Sequence, residues 1–166
     1  MRRKVVFLMI FLLVLFVLPT FAQVNGELVD SLNEARIFEI KSKKQCEYHS
    51  VEFDIIMPYH QILLDKEDSI RLLENLIVAI GGELERATLN IEKLGLSSQA
   101  LNRDAYSETE LVRIYDKILA KFGHAEVRRV VQKARHQAIE HFMLLTNTAQ
   151  SVIDQGRLDN RLKIGY

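Results

Sequence analysis

The residues whose types and spacing could do chemistry are few. His60, Glu67 and Glu74 recur every seven residues. At about 100° per residue they fall on one line of a helix, bordering its apolar stripe. His141 lies within the stripe of the last helix, and Glu108 lies near the edge of the helix before it. Carboxylates and imidazoles that meet inside a bundle can hold iron, zinc or manganese. A metal pocket of His60, Glu67, Glu74, Glu108 and His141 is therefore one expectation. The competing one places Glu67 and Glu74 in rim salt bridges and makes His141 a hydrogen-bonded core residue, because buried acids are rare without partners. A dimetal carboxylate bundle carries Glu-x-x-His on two helices, and no such spacing follows residue 22. His-Glu-x-x-His, Gly-x-Ser-x-Gly, Cys-x-x-Cys and a phosphate loop are likewise missing from the sequence. No histidine forms a recognised nucleophile motif with a serine or cysteine. No catalytic residue and no organic cofactor site is assigned.

The elements that would position these groups are helical. Residues 26–43 give the weakest signal: Leu28, Leu32 and Ala35 share a face, Glu39 falls on it too, and Ile37–Ile40 could extend instead. From Val51 to Ile80 one stripe holds Ile56, Tyr59, Leu63, Ile70, Leu73, Ile77 and Ile80, with Pro58 at its start or at a kink. The same period continues past Gly81-Gly82 through Leu84, Ala87, Ile91 and Leu94, which leaves a tight turn or a bend in one long helix. Residues 97–106 read as a loop and Ser107–Glu110 as a capping box. Behind the box, Leu111, Ile114, Tyr115, Ile118 and Phe122 share one side. Ala125 to Ile153 is the best amphipathic stretch, with His141 and Phe142 in its stripe and Arg128, Arg129, Lys133 and Arg135 opposite. Such helices with no strand pattern between them predict an all-α, antiparallel four-helix-type bundle. The expected division is a leader over 1–22, a segment with a weak helix over 23–50, the bundle over 51–155 and a polar tail over 156–166.

The leader reading rests on Arg2, Arg3 and Lys4, an apolar run from Val5 to Leu18, the breaker Pro19 and the small residues Thr20 and Ala22. That is the pattern of a signal peptide cleaved after Ala22. Its 14 apolar residues fall short of the roughly 20 that span a bilayer. The expected location is the periplasm or beyond, with no stable membrane span after cleavage. Removing the leader leaves 19 basic residues against 22 acidic, which excludes a basic surface built for nucleic acid. The single cysteine, Cys46, excludes an internal disulfide. It is either a shielded core residue or the source of an intermolecular disulfide.

The stretch Glu126-Val127-Arg128-Arg129-Val130-Val131-Gln132-Lys133-Ala134, continuing to Glu140-His141 after the turn Lys121-Phe122-Gly123, is similar to the closing helix of ferritin-like bundles, in particular of small exported bacterial domains. The resemblance implies a four-helix bundle and export. Metal-binding members carry Glu-x-x-His on that helix; here Ala134 and Gln137 stand at that spacing, with Glu140 and His141 adjacent. Three functions follow as expectations. The first is a non-enzymatic exported domain that binds a protein or small ligand or serves the envelope. The second is a ferritin-like metal protein that stores or oxidises iron. The third is a periplasmic inhibitor or immunity-type protein.

Overall fold

The computed structural model describes the backbone of residues 2–164 and the side chains of residues 26–157. Four helices follow one another: α1 (Arg2–Glu52), α2 (Tyr59–Ala79), α3 (Ser97–Lys121) and α4 (Ala125–Ile164). Among the described residues there is no strand, and no helix is long and apolar enough to cross a membrane. The leader, over residues 1–22, lies outside the described side chains.

Side-chain pairs give the direction of each helix. Glu39 and Arg36 of α1 meet Lys66 and Glu74 of α2, so these helices are antiparallel. Ser42 meets Glu108 and Glu39 meets Tyr115, which makes α3 antiparallel to α1 as well. Arg135 of α4 pairs with Asp116 of α3, and Lys133 pairs with Asp68 of α2. The bundle is thus a square in which α1 contacts α2 and α3, and α4 contacts the same two. Its order is up, down, down, up.

Because α2 and α3 are parallel, the chain between them must return the length of the bundle. That length is about 30 Å for a helix the size of α2. A helix over residues 82–96 would cover only about 22 Å, whereas extended chain covers up to about 50 Å. Residues 82–94 accordingly run along α1 without regular structure. The helical period at Leu84, Ala87, Ile91 and Leu94 does not produce a helix, and Leu84, Leu89 and Ile91 stay exposed. Gly81, at φ 81°, ends α2 in the left-handed region that favours glycine. So Gly81-Gly82 is neither a hairpin nor a bend but the start of a crossover. Asn33 holds the crossover by accepting from Glu85 N and donating to Glu83 O. Arg36 donates to Glu85 O. Gln45 both donates to Glu92 O and accepts from Glu92 N.

Three other boundaries differ from expectation. Residues 26–52 belong to α1 without a break at Ile37–Ile40, and they pack on both α2 and α3. α3 starts at Ser97 and not at Ser107, whose hydroxyl donates to Arg103 O within the helix. α4 continues past Gly156 to Ile164. Pro58 stands immediately before α2. The stripes of α3 and of α4 are buried as expected, except that Phe142 is exposed and Val152 is half-buried.

The core has two apolar parts. The larger joins Leu28, Leu32, Leu73, Ile77, Ile118 and Val131 with their neighbours. The smaller joins Tyr59, Ile62, Leu101, Leu145 and Ala149 around Cys46. Burying each large aliphatic chain contributes about 1.5–3 kcal/mol. Between the two parts lies a polar layer.

Candidate functional site

At the centre of that layer is the Lys66 ammonium, fully buried in α2. Its Nζ lies 2.7 Å from Glu108 Oε1 on α3 and 3.0 Å from Glu39 Oε2 on α1. Burial alone would depress the Lys66 pKa. The two carboxylates, Glu108 first, outweigh it and hold the amine well above its ordinary range. Each carboxylate has further partners. Tyr115 donates to Glu39 Oε1 at 2.6 Å, and Ser42 donates to Glu108 Oε1 at 3.1 Å. Glu108 Oε2 is buried and makes no hydrogen bond. His141 Nδ1 approaches it to 3.5 Å, close enough for ion pairing but long for a hydrogen bond. Burial alone would raise the Glu108 pKa, and Lys66 followed by His141 pulls it below the usual carboxylate value. The other ring nitrogen of His141 lies 3.2 Å from Asp65.

A second chain of polar groups occupies the end of the bundle where α1 meets α2. Asp104 Oδ2 accepts from Tyr59 at 2.6 Å and lies 2.8 Å from His49 Nδ1. Gln45 Nε2 stands 2.8 Å from His49 Nε2. Because Gln45 is tied to both backbone groups of Glu92, its amide cannot be turned around, and it is the NH2 that faces His49. His49 Nε2 must then accept, which leaves the ring hydrogen on Nδ1 for Asp104. Cys46 lies beside this chain, buried, and its thiol is pushed well up by burial and by Asp104. Burial and Asp104 likewise push Tyr59 up, and burial and Glu39 push Tyr115 up. A raised thiol and raised phenols stay protonated, so none of the three is a ready nucleophile or base.

The sequence-derived metal pocket is only partly assembled. Glu108 and His141 come together, but Glu67, Glu74 and His60 do not join them. Glu67 is 67% exposed and pairs with Lys43. Glu74 pairs with Arg36 at 2.7 Å, at the rim of the α1–α2 contact. His60 is exposed. The border position that lets these groups reach water is what keeps them out. Among the described residues no three His, Cys, Asp or Glu side chains are grouped to hold a metal ion. Lys66 is absent from the sequence-derived site, and Glu39, though on the apolar face of its helix, is not among its members either. Their signal was present: Lys66 fills the gap between Leu63 and Ile70, and Glu39 continues Leu28, Leu32 and Ala35 at helical spacing.

The surface is quieter. The basic face of α4 is balanced by acids: Arg129 with Glu126, Lys133 with Asp68, and Arg135 with Asp116. His136 pairs with Glu140 at 3.3 Å on the outer face. A groove of about 210 Å³ between α3 and α4 is lined by Thr109, Val112, Ile139 and Phe142. Phe142, which lines it, is partly exposed, and Met143 and Leu144 are exposed next in the chain. Comparison with known proteins finds no matching family model, curated protein or solved structure.

Proposed function

We propose that the chain is an exported, non-enzymatic bundle domain of ferritin-like topology that works through its surface, by binding a protein partner, and needs no metal. One observation carries this reading. Among the described residues the networked polar groups are sealed inside the bundle, and the space between its two central carboxylates is taken by an internal ammonium. A lysine held charged between two carboxylates is neither a Schiff-base amine nor a general base. The up–down–down–up order with one long crossover supports the ferritin-like assignment. The leader pattern over residues 1–22 supports export. The small apolar groove lined by Val112, Ile139 and Phe142 offers a place where a partner side chain could seat.

Metal analysis of the processed protein, purified without chelator, tests the reading. We expect less than about a tenth of an equivalent of iron, zinc or manganese and no melting shift when they are added. A stoichiometric transition metal would replace this reading with the iron-handling one. Fusing residues 1–25 to a reporter phosphatase that is active only outside the cytoplasm tests export, and an inactive fusion would remove that part.

A further inference from the structure

Four buried side chains, Glu39, Lys66, Glu108 and His141, meet in the polar layer, Ser69 and Ala138 are buried one turn along from Lys66 and His141, and the distribution over the helices is specific. α1 and α3 each supply one glutamate, Glu39 and Glu108. α2 supplies Lys66 and, three residues on, Ser69; α4 supplies Ala138 and, three residues on, His141. A dimetal carboxylate bundle has the same frame: one glutamate from each of two helices, and a pair spaced i, i+3 from each of the other two. Here the pairs read Lys-x-x-Ser and Ala-x-x-His in place of Glu-x-x-His. Three ligand types remain in place, and three are replaced. The donor set does not fit a metal, because Lys66 Nζ lies between the carboxylates at 3.0 and 2.7 Å and supplies the positive charge there itself.

We propose that the centre of this bundle is a dimetal carboxylate site closed by its own cation, with Lys66 standing in for the metal, and that removing this ammonium opens the site to a divalent transition metal. The proposal rests on the ferritin-like topology of the previous section. Glu39 and Glu108 are already held in place by Tyr115 and Ser42. Glu108 Oε2 makes no hydrogen bond, so one acceptor is free for an incoming cation. His141 points Nδ1 at that oxygen. Oxygen and imidazole donors of this kind take iron, cobalt, zinc or manganese.

Two variants test this, with cobalt(II) as the probe. The triple variant Lys66→Glu, Ser69→His, Ala138→Glu should bind about two equivalents and show the visible ligand-field absorption that the unaltered protein lacks. The single variant Lys66→Ala only vacates space, so it guards against a triple variant that fails to fold. Cobalt(II) should raise its melting temperature by about 5 °C or more at a hundredfold excess over Kd. Adding Glu108→Gln should abolish that rise. If folded Lys66→Ala shows no cobalt-dependent shift, or keeps the shift with Glu108→Gln, the proposal is overturned and the metal-independent function still stands. If the unaltered protein itself takes up stoichiometric metal, both readings fall.

Discussion

Tyr115 donates its hydroxyl hydrogen to Glu39 Oε1 at 2.6 Å, so the carboxylate that grips Lys66 with one oxygen is itself gripped from α3 by the other. Three helices are joined through one side chain. The charges in this layer are therefore interdependent, and removing one member strands the rest.

Lys66→Met should destabilise the protein by about 3–5 kcal/mol, because it leaves two buried carboxylates without their cation. Adding Glu39→Gln and Glu108→Gln should recover most of that loss, since paired removal spares the desolvation penalty. Urea unfolding of the three proteins checks both statements. A Lys66→Met variant within about 0.5 kcal/mol of the unaltered protein would mean that the layer contributes little.

Both acid and alkali should destabilise the protein. Glu108 is held below its usual 4.5, so the folded chain binds fewer protons there than the unfolded one. Its contribution is complete above 4.5 and is lost as pH falls through the lower folded value. Lys66 is held above 10.5, so its contribution is complete below 10.5 and is lost only as pH rises through the higher folded value. Melting temperature measured across pH should fall below 4.5, and should also fall above about 9, where the unfolded chain sheds the Cys46 and then the Tyr59 and Tyr115 protons that the folded chain keeps. In Glu108→Gln the acid fall should shrink.

Asp104→Ala should cost about 2–4 kcal/mol, because the Tyr59 hydroxyl and the His49 Nδ1–H both lose a buried acceptor. Tyr59→Phe should cost only about 1 kcal/mol. Combining them should cost less than the sum, because the hydroxyl stranded by the first change is removed by the second. Additive losses in chemical denaturation would show that the two groups do not share the hydrogen bond.

Gly82→Ala should destabilise by about 1–3 kcal/mol. A Cβ there would stand 2.7 and 2.8 Å from the two methyl groups of Val29, a stiff side chain. Val29→Ala in the same chain should restore most of the loss, as thermal melting would show.

Cys46 should resist alkylation by iodoacetamide in the folded protein and react only on unfolding. It is buried, and burial together with Asp104 keeps it in the unreactive thiol form. Rapid labelling under native conditions would place it at the surface.

Much of the bundle was legible in the sequence, and the misreadings have physical causes. The stripes of α3 and α4 stood out because Leu111, Tyr115, Ile118, Val127, Val131 and Leu145 repeat at the helical period and bury. The crossover is not legible in the sequence because Leu84, Ala87, Ile91 and Leu94 carry the same period, while the distance the chain must cover is a property of the whole fold. Glu39 weakened the reading of α1, although it sits in register because it is a core residue. Lys66 escaped for the same reason: a charge in an apolar gap looks like an interruption until its partners, 27 residues upstream and on α3, are known. Glu67 and Glu74 align along a helix, but alignment at the border of a stripe leads to solvent.

The clamp of Glu92 on Gln45 reaches further than its exposed position suggests. The main chain of an irregular surface segment dictates which nitrogen of an enclosed imidazole carries hydrogen, and hence whether Asp104 meets a donor. Lifting that segment away would free the Gln45 amide to rotate and would let the ring exchange one tautomer for the other. The return strap is in this sense part of the interior's wiring, and damage at residue 92 should be felt at residue 104.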